Sequence, residues 1–324
     1  SSIKNHLDRG GHQDKSHHRL SSLITAHHRL LSPMHNQFSR TQLLLGRPAI
    51  DTLNGSRVAV FGVGGVGGYA VEVLARSGVG AIDIIDNDRV CPSNINRQLL
   101  ATTKTVGQYK VDVAEERIHA INPDCIVRKH RTFYLPDNAD QFDFTLYDYV
   151  IDCIDTVKAK LDLIFRCHEQ NTPLLACMGA AYKLDATLFR VTDIFKTIND
   201  PLAKIIRKKL RKTNIKHLKV VYSPEEPLES ILPPESPGPS DEYSSDTIRH
   251  SVPASNAWVP AAAGLIAGGE AVKDLILSAH TMRIRPEEEA ASEPARIARE
   301  RAAMMLEEHK RIKAEQTAAD KQCF

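Results

Sequence analysis

A glycine-rich turn lies between a stretch of apolar residues and a run of small and apolar residues. In "VAVFGVGGVGGYA", Gly62, Gly64 and Gly67 form the pattern G-x-G-x-x-G, and Gly65 adds a second glycine beside Gly64. Glycine adopts unusual backbone angles and lets main-chain amides approach a phosphate at the positive end of a helix. The pattern predicts a nucleotide site, but alone it does not separate a redox dinucleotide from ATP, or either from simple helix packing.

The residues that follow the turn favour ATP. Asp86 ends the next predicted strand, where its carboxylate can accept hydrogen bonds from ribose hydroxyls. The stretches "DNDRVCPSNINRQ" and "TVGQYK" then bring polar and cationic side chains close together in the sequence: Asn94, Arg97, Gln98 and Lys110. A triphosphate whose pyrophosphate must leave needs more cations and donors than a dinucleotide does. Surface salt bridging is the alternative role of Arg97 and Lys110.

Two acids lie at the end of a later predicted strand in "YVIDCIDTVKAK", namely Asp152 and Asp155. They are predicted to lie at the carboxyl edge, where open α/β sheets bind ligands. A carboxylate there can hold Mg²⁺ against phosphates, and the ion neutralises the charge that builds during displacement. Because Asp152 can simply cap or bridge, Asp155 is the candidate metal ligand, with helix N-capping as its alternative role.

These side chains need a sheet to position them, and the sequence predicts one. Five apolar stretches have the pattern of buried strands: 57–61, 81–85, 126–131, 149–154 and 174–178. Helical patterns at 69–77, 110–121 and 158–170 alternate with them. This alternation predicts an α/β fold with a Rossmann-like, doubly wound, mostly parallel sheet in a single main domain.

Composition divides the 324 residues into three parts. Residues 1–33 are rich in histidine without regular ligand spacing, so we interpret them as a disordered or artificial extension. Residues 34–280 form the predicted ATP-binding domain, and residues 281–324 form a charged tail with helical spacing. Within the domain, residues 224–255 are rich in proline, serine and acids, which predicts a mobile loop.

The overall composition sets limits on location and partners. The net charge of +2 and the hydrophobic content of 42% are typical of soluble globular proteins, and no apolar run is long enough to span a membrane. The six cysteines occur singly, without the C-x-x-C pair of a zinc knuckle or redox motif. We therefore expect a protein of a reducing compartment, the cytoplasm, without a membrane partner.

The chain resembles the E1-like adenylating superfamily in the order and spacing of four motifs: "GVGGVGG", "DNDRVCPSNINRQ", "TVGQYK" and "DCIDTVKAK". Its members include the ubiquitin-activating, molybdopterin-synthase and thiamine-biosynthesis adenylyltransferases. The resemblance implies that Gly64 and Gly65 lie against ATP and that Asp86 binds its ribose. It also implies three phosphate-binding residues: Asn94, Arg97 and Lys110.

The same resemblance assigns two further roles. Asp155 binds the metal and is the acid expected to be essential for activity. Arg40 in "FSRTQLLLG" matches an arginine that, in this superfamily, reaches across a dimer interface to the partner's ATP. A homodimer is therefore implied.

The second half of the chain resembles the tRNA threonylcarbamoyladenosine dehydratases. The resemblance lies in "MGAAYKLDATLFRVTDIFKTINDPLAKIIRKKLRK" and in "IKHLKVVYSPEEP", which follows it. This implies that the threonyl carboxylate of the modified base at tRNA position 37 is adenylated by ATP. The neighbouring carbamoyl group then closes on the activated carbonyl and expels AMP, so no protein nucleophile is needed. By contrast, "SNAWVPAAAGLIAG" is only a loose version of the superfamily's closing motif.

A tRNA substrate requires a phosphate-binding surface, and one basic run contains no acid. Its members are Lys204, Arg207, Lys208, Lys209, Arg211 and Lys212, followed by Lys216 and Lys219. Without interleaved aromatic residues, the run is expected to contact the RNA backbone rather than stack on bases. A solvated helix face is the alternative interpretation.

Three other functions compete with this one. The chain could adenylate the C-terminal glycine of a ubiquitin-like or sulfur-carrier protein. It could be an NAD-dependent oxidoreductase, for which the glycines and Asp86 would suffice, or a tRNA-binding module without catalytic activity.

Overall fold

A seven-stranded sheet organises the protein. The computed structural model describes residues 36–231 and 253–322, so the predicted extension at 1–33 and most of the predicted mobile loop lie outside the described residues. The strands are β1 (Arg57–Phe61), β2 (Ala81–Ile85), β3 (Ile126–His130), β4 (Tyr149–Asp152), β5 (Leu174–Cys177), β6 (Arg190–Asp193) and β7 (Lys219–Tyr222). Their order is β3-β2-β1-β4-β5-β7-β6, and every neighbouring pair is parallel except β6 with β7.

Helices connect the strands and cover both faces of the sheet. They are α1 (Ser39–Leu45), α2 (Arg47–Asn54), α3 (Gly67–Ser77), α4 (Lys110–Ile121), α5 (Val157–Glu169), α6 (Pro201–Leu210), α7 (Val259–Ser278), α8 (Pro286–Glu289) and α9 (Glu293–Gln322). One core contains β1, α3, α4 and α7, and a second packs α5 against the Phe61 side of the sheet. This confirms the predicted doubly wound, mostly parallel α/β fold.

Small residues let α7 approach α3 closely. A Cβ placed on Gly264 would lie 2.1 Å from the Val66 carbonyl oxygen, and one on Gly268 would lie 2.7 Å from the Val73 Cβ. Neither position can accept a side chain unless the helices separate. The contact therefore holds the start of α7 beside the start of α3, where the glycine turn ends.

The strands β6 and β7 were not among the predicted strands. Each has four residues, and β6 is an antiparallel edge strand whose side chains are exposed or half-buried. Such a strand lacks the continuous apolar run by which the buried parallel strands are found. By contrast, β7 is buried and pairs in parallel with β5, but its apolar run has only three residues, 220–222.

The charged tail contains the long helix α9, which packs against α2. Arg301 donates to Asp148, just before β4, and Met305 contacts Gly80, just before β2. The helix thus crosses the amino ends of the strands, opposite the edge at which the predicted site residues lie. Among all the described helices, none has both the length and the apolar character needed to cross a membrane.

Candidate active site

The glycine turn joins the carboxyl end of β1 to the start of α3. Gly62 has a φ of 87°, and its amide donates to the Ile85 carbonyl oxygen at 2.8 Å. A Cβ on Gly67 would lie only 1.8 Å from the Gly62 carbonyl oxygen. The positive φ and the close approach both require glycine. The turn therefore presents backbone, without side chains in between, at the positive end of α3.

Asp86 fixes this turn from the neighbouring strand end. One carboxylate oxygen accepts the Val63 amide at 2.8 Å and the other accepts the Asp88 amide at 2.8 Å. Burial raises the pKa of Asp86, while the nearby ammonium of Lys110 opposes that rise. Each oxygen retains a lone pair, so the carboxylate can hold the turn and still accept from a ribose hydroxyl.

Lys110 begins α4 and is 4% exposed. Its ammonium donates to Asp88 at 2.6 Å and lies 4.0 Å from Asp86. The structure thus brings two predicted site residues, Asp86 and Lys110, together. It adds Asp88, which was not among the predicted site residues, as the carboxylate that holds the lysine.

Asn94, Arg97 and Gln98 are positioned by a short turn after β2. The Asn94 side-chain oxygen accepts a hydrogen bond from the Cys91 amide at 3.1 Å, and the Asn94 backbone carbonyl accepts from the amides of Arg97 and Gln98. Arg97 passes along the glycine turn, with its Cγ 3.6 Å from a Cβ placed on Gly65. Two of the three predicted phosphate ligands therefore lie on one turn beside the glycines.

Arg97 and Gln98 have unused hydrogen-bonding capacity. The Arg97 guanidinium donates to the Ser93 carbonyl and to Asn96, and no carboxylate of the described residues forms an ion pair with it. Burial lowers the pKa of Arg97. Gln98 is 8% exposed, and its Oε1 lacks a hydrogen-bond partner in the described part of the chain. A half-buried cation and an orphaned amide oxygen beside phosphate-accessible backbone fit an anionic, polar ligand.

The two acids at the carboxyl end of β4 have different roles. Asp152 is fully buried, accepts from the Lys160 ammonium at 2.7 Å and also receives the Ile154 amide. Burial raises the pKa of Asp152, and Lys160 opposes the rise. Asp155 is exposed at the carboxyl edge, and Thr156 rather than Asp155 is the N-cap residue of α5.

Lys160 is a structural residue that the sequence analysis missed. Its ammonium is fully buried and also donates to the Cys177 carbonyl at 2.9 Å, so it ties the ends of β4 and β5 together. A lysine in "KAKLDLI", on the same helix face as buried Ala159 and Leu163, was the available signal. A lysine is buried in this way only when it is paired.

Arg40 lies far from the glycine turn of its own chain. Phe38, at the start of α1, lies 3.5 Å from a Cβ placed on Gly78, the C-cap of α3. At the other end of α1, the Leu45 carbonyl accepts the Arg283 amide beyond the end of α7. The 11 residues of α3 span about 16 Å. The structure therefore does not bring Arg40 to the other predicted ATP ligands within one chain.

The basic run forms α6 and the loop after it. Asp200 caps the helix, and Ala203, Ile206 and Leu210 are buried. Five of the six predicted RNA-binding residues are exposed: Lys204, Lys208, Lys209, Arg211 and Lys212. The sixth, Arg207, is half-buried and donates to the Thr197 carbonyl at 2.8 Å.

Lys219 does not belong to that surface. It begins β7, and its ammonium lies 2.8 Å from both Glu270 and Asp274 on α7. Assigning Lys219 to the RNA-binding surface was wrong, because two acids of α7 pair with its ammonium. Those acids lie some fifty positions later, so the run itself contains no acid.

Comparison with known proteins gives a consistent result. The sequence model of the ThiF family matches residues 38–296. The tRNA threonylcarbamoyladenosine dehydratase of Bacillus subtilis is 45% identical over 254 residues, which is 78% of this chain and 99% of that protein. The structure of Escherichia coli tRNA N6-threonylcarbamoyladenosine dehydratase in complex with ATP is 36% identical with a TM-score of 0.65, covering 75% of this chain and 95% of that one. The AMP complex of the same E. coli protein matches equally well.

Proposed function

The chain belongs to the ThiF family, and from this membership and its site geometry we infer that it is an ATP-dependent tRNA threonylcarbamoyladenosine dehydratase. The observation that carries the inference is the convergence of Arg97 and Gln98 on the glycine turn. These two side chains keep free hydrogen-bonding capacity where the backbone can approach phosphate. A redox dinucleotide does not need such a cation.

The reaction has two steps. The threonyl carboxylate of the modified base attacks the α-phosphate of ATP, and pyrophosphate leaves to give an acyl adenylate. An atom of the neighbouring carbamoyl group then attacks the activated carbonyl and AMP leaves, so the base loses one water in total. Holding both groups of one substrate side by side makes the second step intramolecular.

The protein's own residues bind and orient ATP in this scheme. The amides of the glycine turn and the Arg97 guanidinium hold the phosphates, and Asp86 holds the ribose. Charge on the departing pyrophosphate is stabilised by these preorganised donors and by Lys110. The Cys153 thiol is unsuited to attack, since its hydrogen bond to Cys177 and its burial raise its pKa.

Asp155 is the proposed ligand for Mg²⁺. Asp155 is exposed at the carboxyl edge of the sheet, where a carboxylate can reach an ion bound to phosphates, whereas Asp152 is fully buried. Nowhere in the described ranges do three or more histidine, cysteine or acidic side chains form a metal cluster. Mg²⁺ bound with a nucleotide commonly uses one or two carboxylates plus phosphates, so a single aspartate fits. When bound, the ion would neutralise phosphate charge.

Adenylation can be tested by isotope exchange. Labelled pyrophosphate should exchange into ATP when tRNA carrying threonylcarbamoyladenosine is present. Stimulation by a ubiquitin-like or sulfur-carrier protein instead of tRNA would contradict the proposed substrate.

Because tRNA is the proposed substrate, we place the protein in the cytoplasm.

A homodimer completes the proposed site. Arg40 is remote from the ATP site of its own chain, so it can act only on a partner's ATP. Beside it on α1, Leu43 is 78% exposed and Leu44 is 62% exposed. Adjacent exposed leucines are typical of an interface with another protein surface.

Mixing two inactive variants tests the action of Arg40 across the dimer. Arg40→Ala and Asp155→Asn homodimers should each be inactive or nearly so. After dissociation and reassociation, half of the dimers are mixed, and each has one site with both wild-type residues. Activity should therefore recover to about a quarter of wild type. No recovery in dimers shown to be mixed would place Arg40 in the site of its own chain.

The exposed residues of α6 should make tRNA binding depend on salt. Reversing the charge of Lys208, Lys209 and Arg211 should weaken binding and reduce the slope of log affinity against log salt by about 2–3, because each phosphate contact contributes about 0.7–0.9. Filter binding at several salt concentrations measures the slope. The control reverses Lys310 and Arg311 on α9, which are also exposed. An equal change in the control would exclude α6 as the RNA surface.

A further inference from the structure

The indole of Trp258 is half-exposed beside the nucleotide site. Trp258 is the N-cap residue of α7, and 52% of its surface is exposed. In the first turn of the same helix, the Pro260 Cβ lies 3.3 Å from a Cβ placed on Gly65. Trp258 is therefore held close to the backbone that receives the phosphates.

Hydrogen bonds fix the orientation of this side chain. The indole Nε1–H donates to the Leu184 carbonyl at 2.7 Å, and the Trp258 amide donates to the Asn256 side chain at 3.2 Å. Asn256 in turn donates to the Lys183 carbonyl at 2.8 Å. Since the polar edge of the indole is already satisfied, its exposed part is apolar ring surface.

A chain of hydrogen bonds connects this region to Arg97. The Asn96 side chain donates to the Ser255 carbonyl at 3.0 Å and accepts from Arg97 at 2.9 Å. An aromatic ring and a cation without a carboxylate partner among the described residues thus border one surface. Single-stranded nucleic acid is recognised by this combination, in which bases stack on aromatic rings and cations bind phosphates.

We propose that Trp258 stacks on the modified nucleobase of the tRNA and so positions the threonylcarbamoyl group toward ATP. The inference rests on the proposed function, because it assumes that the modified base enters this site. The basic run on α6 contains no tryptophan, tyrosine or phenylalanine, so base stacking must come from another part of the protein. Stacking at Trp258 would complement backbone contacts at α6.

Fluorescence can test the contact directly, because Trp258 is the single tryptophan of the chain. An anticodon stem-loop carrying threonylcarbamoyladenosine should quench the emission of the full-length protein. The same stem-loop with an abasic site at that position should quench it far less. Equal quenching by both RNAs would overturn the proposal. So would blue-shifted emission from a buried indole before RNA is added, since a second copy of the chain would then cover the ring.

Kinetics give an independent measurement. Trp258→Leu should raise the KM for tRNA about 5- to 150-fold, the range for loss of one stacked base, while the KM for ATP stays unchanged. Trp258→Phe keeps an aromatic ring and should stay within about threefold of wild type. Leu146→Ala, at an exposed residue just before β4 at the opposite edge, is the control.

The outcomes separate this inference from the proposed function. If wild-type protein does not dehydrate the base, the proposed function is overturned. If wild-type protein does so but folded Trp258→Leu keeps the KM for tRNA, only the stacking role is overturned.

Discussion

Gly67→Ala should weaken ATP binding severely. The added methyl group would lie 1.8 Å from the Gly62 carbonyl oxygen and 2.9 Å from its carbon. Both atoms belong to the backbone, so the clash is relieved only by opening the turn that presents its amides to the phosphates. We expect ATP affinity to fall on the order of 100-fold or more, and the free energy of unfolding to fall by about 1–3 kcal/mol. Calorimetric ATP titration and thermal unfolding measure the two effects.

Gly269→Ala is the matched control for that substitution. Gly269 lies inside α7, and a Cβ there would meet no atom within 4 Å. Alanine should therefore stabilise the helix by about 0.5–1 kcal/mol and leave ATP affinity unchanged. Similar losses in both variants would show that the close approach of Gly67 to Gly62 does not determine ATP binding.

Asp155→Asn should reduce the rate of dehydration by about 100- to 1000-fold without unfolding the protein. The exposed carboxylate contributes little to packing, whereas in the proposed mechanism its charge holds Mg²⁺ beside the phosphates. Single-turnover rates at saturating ATP and tRNA measure the effect, and circular dichroism checks the fold. Asp124→Asn, at an exposed loop before β3, should keep full activity.

Asp152→Asn distinguishes the role of Asp152, the last residue of β4, from that of Asp155, which follows the strand. It would leave the Lys160 ammonium buried without its charged partner, which destabilises a protein by about 3–5 kcal/mol. We expect Asp155→Asn to lose activity but keep its stability, and Asp152→Asn to lose stability. The opposite pattern would exchange the roles that we assign to these residues.

Most of the buried parallel strands could be predicted because both of their faces are covered; β7 is the exception. Residues 58–61 of β1 are all fully buried and form a continuous apolar run. Helix α3 was predicted to begin at Tyr69 but begins at Gly67. Glycine has a low helix propensity, so the pattern did not mark Gly67 as helical, although its close approach to Gly62 requires glycine there. Such a contact is not visible in the local sequence.

Several motifs in order predicted candidate site residues that the structure brings close to the glycine turn, such as Asp86, Arg97 and Lys110. The ion-pair partners of such residues could not be predicted, because ion pairing depends on distance in the folded structure. Asp88 had no pattern of its own to mark it as the ion-pair partner of Lys110, and Lys219 follows the basic residues in the sequence yet pairs with acids of α7. Trp258 was part of a quoted motif, but its exposure and its bond to Leu184 required the structure.

The most direct test of the central claim is mass spectrometry of nucleosides from tRNA incubated with the protein, ATP and Mg²⁺. We predict that threonylcarbamoyladenosine loses one water only when ATP is present, and that Asp155→Asn largely prevents the loss. Unchanged threonylcarbamoyladenosine after incubation with folded, ATP-binding protein would contradict the account.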